Sequence, residues 1–470
     1  MNIIKIKNWQ IKLGLIFIFS FEFRLIYAFY LQKYFSGGFK YATADTSSYM
    51  DSFLNLINHG RYCFDLEIRD SCFYRLPTYS FFLGVQKYIL PNYYWVSVAV
   101  LQALLDAGSC CLAVLIARKI DIQGWGLWSV AFVFIFYPFT LFWVPVQVPE
   151  IVGTFLVLLS IYLMVGVKSD RFAIIFSGLS VVLGVWSKQY IAALIPAMIF
   201  FIMARSEIGK FIRHIGLFIC VVVVGYSPWV IRNFINYDEP IIFMGATPGV
   251  KAHMPDFNNA KFFVSLFYEN PKTELMNIAE NGKLSLPTNE FTRKNKYQID
   301  TVVLDAYTCG PSYRIWRGES SVKKTDDCEK LVAEGFAQLS QKAKFEMPLI
   351  DYYKTAFQSF AKGFFKLDYI QSTGSATVQQ LLFGYRGILI VLGLAAIFIA
   401  DGRRQLAFVM GALTYWFSTL IVLSFVYRHV EMRYLLMADS VILICSCMTI
   451  GYIGNWLNER FLKMSVHRIA

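Results

Sequence analysis

The 470-residue chain is short of charge. Only 16% of its residues are charged, where a soluble domain carries about 25%. With so much apolar sequence the shortage excludes a disordered chain and argues against an ordinary soluble enzyme. Histidine is scarce as well, at five, and none stands with cysteine at metal-ligand spacing, which argues against zinc. There is no internal repeat and no low-complexity tract. What the chain has is apolar: 56% hydrophobic and 17% aromatic residues, under a net charge of +12. That positive charge is not gathered on a polar module, so nucleic acid is not an expected partner. Residues 234–378 hold 17 basic and 17 acidic residues, and the whole excess lies in short basic joints between apolar runs. The composition is that of an integral membrane protein.

A spanning helix needs roughly 20 mostly apolar residues. Runs of that kind lie near 12–32, 94–117, 124–144, 148–167, 172–187, 189–204, 214–231, 380–400, 405–427 and 434–456, which predicts about ten spans. Lys188 interrupts the fifth and sixth, so 172–204 reads either as two helices or as one broken helix. With the N-terminus inside, the inner joints carry 15 basic and five acidic residues. The positive-inside rule then predicts both termini in the cytoplasm. No small-residue cleavage site follows the first run, which is read as a span and not a signal peptide. The predicted organisation is an N-terminal membrane module (1–233) whose first outer loop is 31–91. An outer, soluble, mixed loop domain (234–378) follows, and then the C-terminal helices with a short cytoplasmic tail (379–470).

Cysteine is absent from the inner joints. Cys63 and Cys72 stand in the first outer loop, and Cys309 and Cys328 in the second. One close pair per outer segment is what an oxidising compartment produces, and it predicts two loop disulfides. Four free thiols is the alternative that the spacing leaves open.

Ionisable residues beside apolar runs point to function in a membrane protein. Span 1 carries Arg24. The first loop then reads Ala44-Asp45-Thr46-Ser47-Ser48-Tyr49, His59-Gly60-Arg61-Tyr62 and Arg75-Leu76-Pro77-Thr78-Tyr79. Later come Glu150 after Pro145 and Pro149, Ser187-Lys188-Gln189-Tyr190, Pro228-Trp229-Val230-Ile231-Arg232-Asn233 and Glu431-Met432-Arg433-Tyr434. This series resembles the GT-C glycosyltransferases, an all-α polytopic membrane fold. The branch it is most similar to holds the protein O-mannosyltransferases and the lipid A aminoarabinose transferases. The family's first acid usually follows Gly and often has a second acid beside it, whereas Asp45 stands alone after Ala44.

The resemblance implies an inverting transfer of sugar from a polyprenyl-phosphate donor to an acceptor hydroxyl at the outer face of a bacterial inner membrane. The acceptor class (lipid A, another lipid-linked glycan, polysaccharide or protein) stays open. Asp45 is the candidate base, its pKa expected to rise by desolvation; the alternative is a helix N-cap. Arg75 and Lys188, then Arg433 and Arg232, are the candidate phosphate cations, with Arg428 close to Arg433; snorkelling at the interface is the alternative for each. Glu150 is assigned to acceptor positioning, to orienting Asp45, or to a pairing with one of the arginines. Tyr79 and Tyr190 are candidates for lining the sugar pocket. A divalent cation stays open as a cofactor, with no spacing that argues a site. Rival readings are a flippase, which should show repeats and midplane charges, an O-antigen ligase or polymerase, and a scaffold without chemistry.

Overall fold

In the computed structural model residues 2–35, 41–43, 45–67, 71–238, 241–243, 254–317, 319, 326–365, 376–428 and 430–467 are described, and among them there are helices and no strand. Among the described residues eight helices are long and apolar enough to cross a membrane: Trp9–Tyr34, Tyr94–Lys119, Gly124–Leu141, Asp170–Ser187, Gly209–Tyr237, Gln380–Phe398, Gly402–Val426 and Arg433–Glu459. The other two predicted spans are shorter apolar helices, Glu150–Gly166 and Gln189–Arg205. Seventeen residues rise about 25 Å, against a core about 30 Å thick, so the ten expected spans are met among the described residues by eight full-length helices and two shorter ones.

The helices that position the site are α1 (Asn2–Ile26), α2 (Thr46–His59), α3 (Pro77–Ile89), α4 (Tyr94–Lys119), α5 (Gly124–Phe136), α6 (Glu150–Gly166), α7 (Asp170–Ser187), α8 (Leu194–Arg205) and α9 (Ile208–Tyr237). They are followed by α10 (Pro255–Ser265), α11 (Lys272–Asn281), α12 (Lys296–Thr308), α13 (Asp326–Glu346), α14 (Leu349–Phe365), α15 (Ala376–Ala395), α16 (Gly402–Ile421) and α17 (Met432–His467). Lys188 is extended, at φ −152° and ψ 117°, and ends α7. Arg205, at the close of α8, donates to Asp170 at the start of α7 across 2.7 Å. The two helices therefore run antiparallel, which makes 172–204 two helices and not one broken one. Glycine lets two helix backbones meet: a Cβ on Gly451 of α17 would lie 2.6 Å from the Cα of Gly126 on α5, so neither position has room for a side chain.

The joints expected to be inner gather at one end of the bundle. There Arg118 lies over Trp9 at 4.1 Å, Lys12 over Trp128 at 5.5 Å, and Arg403 donates to the Ser206 carbonyl across 2.7 Å. Two ion pairs are buried inside. Arg24 bonds Asp106 at 2.6 Å and donates to the Phe134 carbonyl at 2.9 Å. Arg386 holds Asp439 through Nε at 2.8 Å and Nη2 at 2.9 Å.

The long loop was expected to be mixed; its described part is helical. Helices α10, α12 and α13 close around Phe263, Val264, Ala306, Phe336 and Leu339, which are fully buried. Helix α14 leaves that core and lies along the bundle, its Phe364 ring 4.9 Å from Trp416 and its Gly363 carbonyl accepting from Arg386. Helix α9 runs on to Tyr237, past the boundary expected at 233.

Candidate active site

The opposite end of the bundle holds the charges that are not locked away. Asp45 occupies the N-cap position of α2 but makes no capping bond with its side chain. Thr46 closes that helix start instead, accepting from the Thr43 N–H at 2.9 Å and donating to the Gln147 carbonyl at 3.2 Å. The Asp45 carboxylate is thereby free to face Arg75, 2.8 Å from its Nη2, and Arg433, 3.6 Å from its Nη1. The side-chain cap, the alternative reading of this residue, is not formed; the carboxylate makes ion pairs instead. Ala44 lies outside the described residues.

Arg75 is fixed before it meets any ligand. Its Nε donates to Ser48 Oγ at 2.7 Å, and its guanidinium lies 4.2 Å from the Tyr49 ring and 4.5 Å from the Tyr74 ring. Arg433, in the first turn of α17, is shared: its Nε donates to Glu431 at 2.5 Å and its Nη2 to the Tyr434 hydroxyl at 3.0 Å. Lys188 projects from the break after α7, its Nζ 3.4 Å from Glu150 Oε1 and 5.2 Å from the Tyr434 ring. Glu150 opens α6, where the helix N-terminus favours a negative charge. It is fully buried, and among the described residues it has the Lys188 ion pair but no hydrogen bond to either oxygen. Tyr190 stands between Tyr427 and Tyr434, 5.0 Å from each ring.

Burial pushes the Asp45 carboxyl up, but Arg75, Lys188 and Arg433 outweigh it and hold the pKa down to about 2. That corrects the expected rise. A carboxylate surrounded by three cations is ionised at every physiological pH and, in this state, is a weak proton acceptor.

Other expected residues lie elsewhere. Arg232 was counted among the phosphate cations; its Nη1 donates to the Cys72 carbonyl at 2.9 Å and its Nη2 to the Tyr62 carbonyl at 2.8 Å, so it clamps the first loop onto α9. Arg428 donates to the Tyr352 carbonyl at 3.0 Å and lies 4.7 Å from the Tyr352 ring, which makes it the anchor of α14. Its φ of +50° is in the left-handed region, a conformation costly for a non-glycine residue. Tyr79 is a core residue, fully buried and bonded to Gln102 at 3.1 Å. Cys63 is bonded to Cys72, and Cys309 to Cys328. Among the described residues no three His, Cys, Asp or Glu side chains converge as a ligand set.

One member of the cluster escaped sequence reasoning: Glu431, paired with Arg433, stood inside a quoted motif without a role.

No family model matches the sequence, and no curated protein sequence matches it. Solved structures do. The oligosaccharyltransferase AglB of Archaeoglobus fulgidus, in complex with an inhibitory peptide and a dolichol-phosphate, is 13% identical with a TM-score of 0.52, over 99% of this chain and 52% of that one. An apo form of the Archaeoglobus fulgidus oligosaccharyltransferase is 12% identical with a TM-score of 0.50, over 97% of this chain and 51% of that one. The chain thus spans about half the length of the structures it matches. The likeness is one of fold: the chain folds like about half of these membrane oligosaccharyltransferases.

Proposed function

We propose that the chain is an inverting glycosyltransferase that passes sugar from a polyprenyl-phosphate donor to an acceptor hydroxyl at the outer face of a bacterial inner membrane. In this reading both termini are cytoplasmic, a reading that the excess of basic residues in the inner joints supports. The branch of O-mannosyltransferases and aminoarabinose transferases rests on the sequence motifs. AglB bound to dolichol-phosphate supports a lipid-linked donor.

One observation carries the reading: Asp45 is held by the very arginines that a phosphate would claim. A donor phosphate drawn to Arg75, Arg433 and Lys188 competes with Asp45 for them. As they turn to the phosphate the carboxylate loses its counter-ions, and burial then raises its affinity for a proton. Asp45 takes the proton of the acceptor hydroxyl while that oxygen attacks the anomeric carbon. The bond from that carbon to the phosphate oxygen breaks, and the electron pair leaves with the polyprenyl phosphate, whose charge the same cations hold. Glu150 keeps Lys188 in place.

Transfer of a radiolabelled sugar from synthetic polyprenyl-phosphate donors to membrane acceptors tests the reading. Loss of transfer in Asp45→Asn protein with normal insertion supports it. Equal transfer in Asp45→Asn and wild type overturns it, and a flippase then becomes the better reading.

A further inference from the structure

Arg433 stands between two carboxylates, and they hold it unequally. Its Nε donates to Glu431 Oε2 at 2.5 Å and its Nη2 to the Tyr434 hydroxyl at 3.0 Å, whereas its Nη1 is 3.6 Å from Asp45 Oδ2. The first two are hydrogen bonds, and the third is an ion pair beyond hydrogen-bond length. Glu431 is fixed at the start of α17, where its carbonyl accepts from the Tyr434 N–H at 3.0 Å and the helix N-terminus favours its charge. Just before it Arg428 ties the chain to α14, its Nη1 3.0 Å from the Tyr352 carbonyl and 3.3 Å from Thr355 Oγ1. The carboxylate that grips Arg433 therefore sits on backbone anchored from both sides.

A guanidinium beside a carboxylate tends to close on it with two parallel bonds. Asp45 already has Arg75 at 2.8 Å. If Arg433 closed on it as well, a phosphate would have to break two full pairs to reach either arginine. With Nε on Glu431 and Nη2 on Tyr434, one side of the Arg433 guanidinium is occupied, and Nη1 reaches Asp45 only loosely.

We infer that Glu431 is a positioning residue: it keeps Arg433 from closing on Asp45 and so holds the guanidinium ready for the phosphate of a polyprenyl-phosphate donor. The inference rests on the proposed function and adds to it a residue that sets how tightly the donor binds. A cation held in place before the ligand arrives loses less side-chain freedom on binding. The sign of the effect marks this role. By charge alone a carboxylate beside an anion site repels the phosphate, and its removal would tighten binding. Removal of a positioning carboxylate loosens it.

The test measures binding of undecaprenyl monophosphate to the full-length protein in nanodiscs, with undecaprenol as the uncharged control. Glu431→Ala, and Glu431→Met, which keeps the length without the acceptor, should each weaken the phosphate by about 5–20-fold, the range of one charge-assisted contact, and leave the alcohol unchanged. Glu431→Gln still accepts from Nε and should stay within about threefold of wild type. In an Asp45→Asn background Arg433 has no carboxylate at that position to close on, and Glu431→Ala should then cost less than about twofold. Two outcomes overturn the inference and spare the functional reading. One is phosphate binding that tightens or stays unchanged in the folded Glu431 variants while Arg433→Ala weakens it. The other is a loss of the same size with and without Asp45→Asn. A wild-type protein that does not distinguish phosphate from alcohol overturns the functional reading, and the role of Glu431 with it.

Discussion

Two sets of charges sit in one helical bundle, and they are built in opposite ways. Inside, Asp439 is saturated: it accepts twice from Arg386, once from Trp416 at 2.9 Å and once from Tyr137 at 3.3 Å, with both ions 1% exposed. Arg24 likewise spends its donors on Asp106 and the carbonyls of Ser20, Phe134 and Ile135. At the site end Asp45 is 34% exposed, and among the described residues Glu150 has the Lys188 ammonium 3.4 Å away but no hydrogen-bond donor. A saturated pair has nothing left to offer a ligand. A partly open cluster keeps charges that a ligand can still reach.

The largest effect that separates the two sets is catalytic. Asp45→Asn should lower transfer by about 10²–10⁴-fold while the protein still folds, because the start of α2 is closed by Thr46 and not by this carboxylate. Radiolabelled transfer, scaled to correctly inserted protein, measures it. Asp439→Ala should do the reverse. Removing one partner of a buried pair costs about 3–5 kcal/mol, so the yield of folded protein should collapse while each folded molecule keeps its turnover. Thermal unfolding in detergent checks this. An Asp439 variant that is stable but inactive would erase the distinction between the sets.

The sequence makes one side of this contrast legible and hides the other. Low charge, apolar runs and basic joints lead to a polytopic helical fold, and the motifs lead to Asp45, Arg75, Lys188 and Arg433, which do converge. Each lies where an apolar run meets a polar stretch, and that junction is visible in one dimension. Arg232 and Arg428 lie at the same kind of junction and look the same in sequence. Only the fold shows that backbone carbonyls of the first loop and of α14 occupy their guanidinium groups. Arg24, Asp106, Arg386 and Asp439 do interrupt apolar runs, which signals that they are paired or functional, but the pairing partners stand 82 and 53 residues apart.

A middling effect should follow from loosening the first loop. Arg232→Ala removes two bonds to carbonyls, and opening the Cys63–Cys72 link frees a nine-residue separation that the fold holds closed. Each should cost about 1–3 kcal/mol and lower activity only in proportion to the folded fraction. Non-reducing mass spectrometry should find Cys63 joined to Cys72, and a donor Kd measured with Arg232→Ala protein should stay near wild type. A tenfold or larger loss of donor affinity would move Arg232 back among the phosphate cations.

The pH dependence sharpens the comparison further. With its folded pKa held at about 2, below the ordinary value of 3.8, Asp45 contributes stability that is present above pH 3.8 and lost as pH falls through about 2. Without donor the protein therefore keeps Asp45 ionised at neutral pH, and in the proposed reaction kcat/KM should show no acidic limb from this residue between pH 5 and 8. Once a phosphate has drawn off the arginines, protonation should occur at higher pH, and an acidic limb should move into view in kcat. Identical limbs in kcat and kcat/KM would mean that the donor does not displace Asp45 from its cations.

The smallest effect belongs to Asp51, six residues beyond Asp45 and on the same helix. Here burial raises the pKa and no cation counters it. The sign is opposite to that of Asp45: a carboxyl raised in the folded state has its penalty fully present above the folded pKa, and the penalty fades as pH falls. Asp51→Asn removes a charge that the fold disfavours at neutral pH, so the variant should be as active as wild type and slightly more stable at pH 7, with the gain vanishing in acid. Thermal unfolding at pH 7 and in acid, paired with the transfer assay, measures both. If Asp51→Asn costs as much activity as Asp45→Asn, then what matters is the negative charge of the whole α2 segment, and the one carboxylate between two arginines loses its special standing.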